Sequence, residues 1–331
     1  MATLKDVARL ACVDVSTVSR ALNNTSYVHP DTKARIYAAV KELSYQPNVL
    51  AQGLRQGKRR TIGLIVPKLH LTIFAEIAQG IEEEARKHGY AILICNTEDD
   101  PKIERECLNR LRNGFVDGII IAGTGKNGRL LRDIQASGIA VTQIVRQQDK
   151  KISSVVSDYN NCGYEAVKYL YSKGCRQIGF ISGTMELSPY RERYNGYKRA
   201  LEEFGLTETS TLSSVPDNSF EYGFQCTEDL LEQNPNLDAI MAAVDIQGIG
   251  AMRALKEHHI SIPDQIRLIS LTGHFIGSIM LTTMTSMEMP ARLMGEKATQ
   301  MTLEEINAPA DNKPGCQHLQ LSSVLAERES G

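Results

Sequence analysis

The chain begins with two short segments in which apolar residues recur at helical spacing. The apolar face of the first segment is made of Leu4, Val7, Ala8 and Ala11. Thr3 and Asp6 fit a capping box, in which each side chain accepts a hydrogen bond from an otherwise unpaired backbone amide. The pattern breaks at residues 12–14, and Asp14 suits the N-cap of a second helix with Val18, Ala21 and Leu22 facing inward. Two helices joined by a tight turn are therefore predicted.

This pattern is typical of a helix-turn-helix, whose second helix places its first residues against base edges in the major groove. Those residues are Val15, Ser16 and, one turn later, Arg20. An amphipathic helical hairpin at a domain edge would show the same spacing without touching DNA. A third helix is predicted over residues 31–43, after the start signal Pro30-Asp31, and its apolar stripe would close a small core.

The composition changes over residues 47–60, P-N-V-L-A-Q-G-L-R-Q-G-K-R-R, which read as a linker ending in cations. The stretch V-L-A-Q-G-L could form little more than one helical turn, and so short a helix is marginal alone. Gly53 weakens it further, by about 1 kcal/mol relative to Ala. A flexible linker and a helix that forms only on DNA both fit this segment.

Beyond residue 60 apolar strands alternate with helices. A first run of strands is predicted at residues 61–67, 91–96, 116–123 and 139–145, and a second run at 153–158, 177–183, 211–215, 239–244 and 267–273. The helices between them are predicted at 74–88, 101–113, 127–137, 160–173, 190–204, 218–233 and 247–258. This alternation indicates parallel sheets covered on both faces, in two doubly wound lobes. Ligands of such sheets bind beyond the carboxyl ends of the strands, here in a cleft between the lobes.

Length and charge support a separate DNA-binding head. A chain of 331 residues is expected to form two or three domains. The net charge of −2 hides a basic first segment, because residues 1–60 carry ten Lys and Arg against four Asp and Glu. No signal-peptide pattern and no run of 18 apolar residues is present, so a cytoplasmic location is expected. The seven cysteines lack a C-x-x-C spacing and are expected to be free thiols; a metal site is not expected.

The stretches T-L-K-D-V-A-R-L-A-x-V-x-V-S-T-V-S-R-A-L-N at 3–23 and Y-V-H-P-D-T-K-A-R-I-Y-A-A-V-K-E-L-S-Y-Q-P-N at 27–48 resemble the lactose/galactose repressor family. The likeness extends over essentially the whole chain. Cys12 departs from it, because the family usually has Gly or a small polar turn residue there, and Asp14 replaces the usual Ser cap. The resemblance implies a small all-α helix-turn-helix headpiece (residues 1–46), a hinge helix and linker (47–60), and an α/β periplasmic-binding-protein-like body (61–331) for effector binding and dimerisation.

The resemblance also implies the DNA-contacting residues. In the family the hinge helix lies in the minor groove when two chains are on DNA, and a leucine wedge opens a base step there. Leu54 matches that wedge, Ala51 is its close neighbour, and the cations at 58–60 help to hold phosphates. The residues expected to contact DNA are Thr3, Val15, Ser16, Thr17, Ser19, Arg20, Asn23, Tyr27, Val28, Asn48, Ala51 and Leu54. The expected partner is a near-palindromic double-stranded operator bound by a homodimer.

An effector site is implied by further matches after the strands of the body. The stretch R-E-R-Y-N-G-Y at 191–197 resembles the family's R-x-R-x-x-G-[WFY], and Arg193 matches the arginine that grips sugar hydroxyls. Asp245 matches the Asp of N-D-x-x-A-x-G. Guanidinium and carboxylate groups suit vicinal hydroxyls because each makes paired hydrogen bonds. The expected effector-binding residues are Lys68, Phe74, Arg146, Asp158, Tyr190, Arg193, Phe220, Asp245 and Thr272. A salt bridge between the lobes is the alternative for Arg193 and Asp245, and ordinary core packing is the alternative for the aromatic residues.

Departures from the family pattern bear on the effector. Val145 stands where the family usually has Asp, Thr272 and Gly273 stand where it has acids, and Lys68 replaces an Asp. Fewer carboxylates and one more cation argue against a neutral monosaccharide held by Asp pairs. A disaccharide or other glycoside, or a phosphorylated sugar attracted by Lys68, Arg146 and Arg193, is expected instead.

Rival interpretations rest on weaker signals. G-T-G-K-N-G at 123–128 has the dinucleotide fingerprint, but it follows the third strand of its lobe and no acid ends the next strand. A sugar- or nucleotide-binding enzyme is therefore only a remote alternative, and no cofactor is expected. A regulator that responds to a partner protein or a non-sugar ligand is the alternative. No heptad run follows Ser330, which favours a dimer over a tetramer. The expected function is a repressor of a carbohydrate-utilisation operon, released from or tightened on its operator by the effector.

Overall fold

The computed structural model describes residues 2–23, 26–45, 59–211, 218–309 and 311–331. The chain forms two compact units, Met1–Arg59 and Arg60–Gly331. None of the described helices is long and apolar enough to cross a membrane.

The described residues of the first unit form three helices, α1 (Leu4–Leu10), α2 (Val15–Asn23) and α3 (Pro30–Glu42). The capping box is confirmed, because the Asp6 amide donates to Thr3 Oγ1 at 3.3 Å and the Thr3 amide donates to Asp6 Oδ2 at 2.9 Å. The small core holds one apolar face of each helix: Val7, Ala8, Ala11, Val18, Ala21, Ile36 and Ala39. Burial of these positions orients α2 and leaves its opposite face to solvent.

The turn between α1 and α2 explains the family's preference at residue 12. Cys12 has a φ of 53°, in the left-handed region that favours glycine. The backbone amide of Cys12 donates to the carbonyl of Arg9 at 3.3 Å, and the amide of Val13 donates to Ala8 at 3.0 Å. The chain thus reverses through a conformation in which the Cβ of Cys12 is strained.

The second unit contains nine helices and twelve strands among its described residues. The helices are α4 (Thr72–Lys87), α5 (Pro101–Arg112), α6 (Gly128–Ala136), α7 (Tyr159–Ser172), α8 (Ser188–Phe204), α9 (Phe220–Gln233), α10 (Asp245–Glu257), α11 (Phe275–Ser278) and α12 (Ala291–Asn307). The strands are β1 (Thr61–Val66), β2 (Ala91–Asn96), β3 (Gly118–Ile121), β4 (Ala140–Ile144), β5 (Ser153–Ser157), β6 (Ile178–Ile181), β7 (Thr209–Thr211), β8 (Ala239–Ala242), β9 (Arg267–Ser270), β10 (Thr285–Glu288), β11 (His318–Leu321) and β12 (Val324–Ala326).

The strands form two six-stranded sheets, with the orders β11-β5-β4-β3-β1-β2 and β12-β10-β9-β8-β6-β7. Every pairing in the first sheet is parallel, and the second sheet departs from this only where β12 runs antiparallel to β10. The central strands β3 and β8 are buried along their whole length, as expected for strands covered on both faces. The predicted doubly wound α/β class is confirmed.

The division of the chain between the two lobes differs from the prediction in one respect. The alternation along the chain predicts the strand at 153–158 in the second lobe, but β5 pairs with β4 and β11 in the first sheet. The chain enters the second lobe only at α7, and after β10 it returns to supply α12 and β11 to the first. Apolar strands alternate with helices in the same way before and after the chain passes from one lobe to the other. The alternation therefore does not predict which sheet a strand joins. Strand β7 covers Thr209–Thr211, and the rest of the strand predicted near 211–215 lies outside the described residues.

All seven cysteines lie in the described residues and none of them forms a disulfide, in agreement with the prediction.

Candidate functional site

In the first unit, one face of α2 is open to solvent. Ser16 and Arg20 are exposed, whereas Val18 and Ala21 on the opposite face are buried. Arg20 forms no ion pair within the described part of the chain, so its guanidinium is available to a partner. This is the arrangement that a recognition helix needs, with short polar and cationic side chains facing outward.

The remaining headpiece candidates occupy several environments. Tyr27 is 84% exposed. The side-chain Nδ2 of Asn23 donates to Ser19 Oγ at 3.3 Å on the open side of α2. Val15 and Val28 pack against the small core while part of each stays accessible. Thr3 is the exposed N-cap residue of α1, and Thr17 is a half-buried residue of α2. The hinge candidates Asn48, Ala51 and Leu54 lie outside the described residues.

In the second unit, a small cavity of about 40 Å³ lies between the two lobes. Its first-lobe wall comes from the start of α4 and the end of β4, and its second-lobe wall from α7, α8 and the ends of β8 and β9. The lining residues are Leu71, Ile73, Phe74, Val145, Arg146, Tyr159, Pro189, Tyr190, Arg193, Asn218, Val244, Thr272 and Met289. The cavity thus lies beyond the carboxyl ends of parallel strands, where a ligand of this fold is expected.

Arg193 is the most unusual group in the cavity, because its cationic side chain is only 2% exposed. Its Nη2 donates to the carbonyl of Leu271 at 2.9 Å, and its guanidinium lies 4.9 Å from the centre of the Tyr159 ring. Nε is buried without an acceptor, and Arg193 forms no ion pair within the described residues. A buried cation with an unsatisfied donor is costly unless a ligand supplies an acceptor.

Gly196 explains why the motif that contains Arg193 also contains a glycine. A Cβ on residue 196 would come within 1.9 Å of the carbonyl oxygen of Asn160 in α7. Only glycine therefore allows α8 to cross α7 so closely. This crossing brings Arg193 against Tyr159, the first residue of α7.

Arg146, the second arginine of the cavity, is neutralised inside the protein. Its Nη2 donates to Asp99 Oδ2 at 3.0 Å, its Nη1 donates to Asp99 Oδ1, and both side chains are almost fully buried. The carbonyl of Gly123 accepts a further hydrogen bond from Nη1 at 3.3 Å. A paired arginine of this kind contributes little net charge to a ligand.

Two tyrosines of the cavity act as hydrogen-bond donors. Tyr159 Oη donates to the carbonyl of Val145 at 2.8 Å, which joins the lobes, and Tyr190 Oη donates to Asn218 Oδ1. Burial raises the pKa of both tyrosines to about 12, so both hydroxyls keep their protons at neutral pH.

Five of the nine predicted effector residues line the cavity: Phe74, Arg146, Tyr190, Arg193 and Thr272. The other four do not. Asp158 caps α7, accepting from the Asn161 amide at 3.0 Å, and Phe220 packs against Phe224. Lys68 is half-buried after β1.

Asp245 lies at the margin of the cavity. Its Oδ1 accepts from the Gly273 amide at 3.0 Å and from the Ser270 hydroxyl, while its amide donates to Thr272 Oγ1 at 3.1 Å. It therefore ties the ends of β8 and β9 together and does not bridge to Arg193. Its Oδ2 is buried without a partner.

Sequence reasoning did not predict Asp99, Tyr159, Asn218 or Met289. Asp99 follows β2, outside the stretches that the family motif marks, and only its contact with Arg146 reveals its role. Tyr159 directly follows the candidate Asp158, so the aromatic residue adjacent to a predicted site was the available signal. Nothing in the local sequence distinguishes Asn218 or Met289.

A family model described as "Bacterial regulatory proteins, lacI family" matches residues 3–48, and one described as "Periplasmic binding proteins and sugar binding domain of LacI family" matches residues 59–320. The ribose operon repressor of Escherichia coli (strain K12) is 30% identical over 333 residues, covering 100% of both chains. The HTH-type transcriptional repressor PurR of Aliivibrio salmonicida (strain LFI1238) is 30% identical over 314 residues, 92% of each chain.

A solved structure described as a complex of the transcriptional regulator CelR with cellobiose is similar over 100% of both chains, with 26% sequence identity and a TM-score of 0.75. The predicted resemblance, the fold and the absence of an enzymatic role in the family agree with these matches. The chain therefore belongs to the LacI family and is a DNA-binding transcriptional regulator with a ligand-binding body.

Proposed function

We propose that the chain is a dimeric repressor of a carbohydrate-utilisation operon whose operator affinity is set by a sugar effector bound between the lobes. The observation that carries the proposal is Arg193, a fully buried cation with an unsatisfied Nε at the interlobe cavity. A sugar hydroxyl can accept from that nitrogen, and the unpartnered Oδ2 of Asp245 nearby can accept from a hydroxyl.

The lining favours a glycoside or disaccharide over a phosphorylated sugar. Of the three cations expected to attract a phosphate, Lys68 is not part of the lining and Arg146 is already paired with Asp99. Most lining side chains are apolar, and Phe74, Tyr159 and Tyr190 offer flat faces suited to the C–H surface of a sugar ring. The complex of the similar CelR with cellobiose supports the same choice.

The size of the cavity links binding to movement of the lobes. Its 40 Å³ is little more than the volume of one water molecule, so a sugar enters only if the lobes separate. That opening would break contacts between the lobes, among them Lys126 Nζ to Glu186 Oε2 at 3.2 Å, His274 Nδ1 to Glu76 Oε2 at 3.2 Å and Tyr159 Oη to the carbonyl of Val145 at 2.8 Å. Effector and operator would then select different lobe arrangements, which couples the two affinities.

The DNA side of the proposal rests on the open face of α2. Ser16 and Arg20 would read bases in one half-site per headpiece, and Leu54 of each chain would wedge a base step between the half-sites. The hinge is proposed to order only on DNA. Hydrogen exchange tests this part, because hinge amides that are already protected in the free protein would contradict it.

The first experiment is a thermal-shift scan of the full chain against monosaccharides, disaccharides, aryl glycosides and sugar phosphates. A true effector stabilises the folded state by about 2.7 kcal/mol at one hundred times its dissociation constant. The same scan is repeated with Arg193→Met, whose unbranched side chain extends as far as the position of Nε and carries no donors. Operator affinity is measured in parallel on DNA selected from a random library by the protein itself.

The expected result is a shift with one glycoside or disaccharide that is lost in Arg193→Met, with a change in operator affinity when that sugar is present. A shift only with a sugar phosphate would support binding in the interlobe cavity, but it would show that the effector is a phosphorylated sugar and not a glycoside or disaccharide. Operator binding without any sugar response would favour the alternative, control by a partner protein or a non-sugar ligand.

A further inference from the structure

The first lobe carries a second cavity, of about 270 Å³, between helices α5 and α6 and open to solvent. Four cationic side chains surround it, Arg105, Arg112, Lys126 and Arg129, against one carboxylate, that of Asp133. We call this cavity the α5–α6 groove. It is separate from the interlobe cavity, with which it shares no lining residue.

The positive charge of the groove is largely uncompensated. Lys126 pairs with Glu186 at 3.2 Å, but within the described residues Arg105, Arg112 and Arg129 form no ion pair with a carboxylate. Like charges held around one cavity repel each other, and a bound anion relieves that repulsion. Other cations on this lobe do have a carboxylate partner, as Arg132 has in Asp149 and Arg86 in Glu82.

Arg105 is held in place by a chain of partly buried hydrogen bonds. The carboxylate of Glu104, which is 1% exposed, accepts from Asn127 Nδ2 at 2.8 Å. Asn127 Oδ1 in turn accepts from Arg105 Nε at 3.1 Å, which leaves the two terminal nitrogens of that guanidinium for other partners. A buried polar chain that orients an otherwise exposed arginine is a feature of a prepared binding site.

The glycine-rich loop at 123–128 forms part of this groove. It resembled a dinucleotide fingerprint in the sequence, yet it follows β3 and supplies Lys126 and Asn127 to the groove. Gly123 lies inward, where its carbonyl accepts from Arg146 at 3.3 Å. The loop therefore joins the wall of the groove to the arginine of the interlobe cavity.

We propose that the α5–α6 groove binds a small phosphate-bearing anion. Guanidinium groups match the tetrahedral oxygens of phosphate with paired hydrogen bonds, and three arginines without a carboxylate partner line this one cavity. The cavity is large enough for a phosphorylated small molecule. The phosphate is either a free inorganic one or the phosphoryl group of a metabolite.

The test is isothermal titration of the full chain with inorganic phosphate, pyrophosphate and ribose 5-phosphate, with gluconate as an anion that lacks phosphate. The groove variant is Arg112→Gln/Arg129→Gln, both positions exposed. The matched control is Arg86→Gln/Arg253→Gln, which removes the same charge from exposed positions outside the groove. Comparing these two variants cancels nonspecific binding of anions to the basic headpiece.

The expected result is that at least one phosphate probe binds the wild-type chain and the control with the same affinity within twofold, and the groove variant at least tenfold more weakly. Binding of ribose 5-phosphate alone would identify a metabolite as the source, and binding of inorganic phosphate or pyrophosphate would identify the free anion. Equal weakening in both variants, or equal gluconate binding, would overturn the proposal. So would an acidic peptide that binds through the groove when no phosphate probe does.

Discussion

The carboxylate of Asp99 holds the guanidinium of Arg146 by two hydrogen bonds at the wall of the interlobe cavity. The two residues come from the ends of different strands, β2 and β4, and their side chains are 6% and 5% exposed. The acid that the family usually places beside this arginine is replaced by Val145. Asp99 supplies the missing charge from a position that is 47 residues away in sequence.

Replacement of Asp99 by Asn leaves Arg146 as a buried cation without a counter-charge. We expect the free energy of unfolding to fall by about 3–5 kcal/mol, the usual cost of removing one partner from a buried pair. Urea unfolding at pH 7 measures it. The control is Glu257→Gln, which breaks the exposed Arg253–Glu257 pair and should cost no more than about 1 kcal/mol. Similar losses in the two variants would show that Asp99 and Arg146 are not effectively buried.

Replacement of Arg20 by Ala is expected to weaken operator binding by about 1–3 kcal/mol, a factor of roughly 5–150, because a base-reading contact is lost. Fluorescence anisotropy at one fixed salt concentration measures it, since salt alone changes these affinities. Arg253→Ala, on the body, should leave the affinity unchanged. If binding to unrelated DNA falls by the same factor as binding to the operator, Arg20 contacts phosphate and not bases.

Replacement of Cys12 by Gly is expected to stabilise the first unit by up to about 1 kcal/mol. Glycine removes the strain at a φ of 53°, although its greater freedom in the unfolded chain offsets part of the gain. Hydrogen exchange of amides in α1 and α2 reports this local opening energy. Cys12→Ala keeps a Cβ and should give no gain; equal gains in both variants would mean that loss of the thiol, not relief of strain, is responsible.

Stability is expected to fall between pH 10 and 12. Burial raises the pKa of Tyr190 from 10.0 to about 12, so in this window the unfolded chain has released a proton that the folded chain still holds. The contribution of Tyr190 is therefore complete below pH 10 and is lost as pH rises towards 12, at about 1.4 kcal/mol per pH unit.

Urea unfolding from pH 9 to 11.5 measures this slope. Tyr190→Phe should reduce this slope by about 1.4 kcal/mol per pH unit, the contribution of one tyrosine. Tyr27→Phe, at a residue that is 84% exposed, should leave the slope unchanged. An unchanged slope in Tyr190→Phe would show that the hydroxyl of Tyr190 is accessible to solvent in the folded chain.

The candidate site was only partly predictable from sequence. Arg193 and Gly196 share a motif whose spacing follows from a single helix crossing, so the local sequence contains that information. The compensation of Arg146 by Asp99 and the use of Asp245 as a tie between β8 and β9 depend on contacts between distant segments. For that reason the prediction from sequence overestimated the positive charge that the interlobe cavity offers to an effector.

The helix-turn-helix, its capping box, and the alternation of strands and helices in the body are all predictable from local sequence. Each depends on neighbours within a few residues, where helical spacing and backbone capping act directly. Long-range contacts, by contrast, place β5, α12 and β11 in the first lobe and leave Arg193 as the cation of the cavity without a counter-charge. The sheet that a strand joins and the acid that pairs with an arginine are both set by segments far apart in the chain. A local pattern cannot specify which of several equally apolar strands, or equally acidic loops, will be the partner.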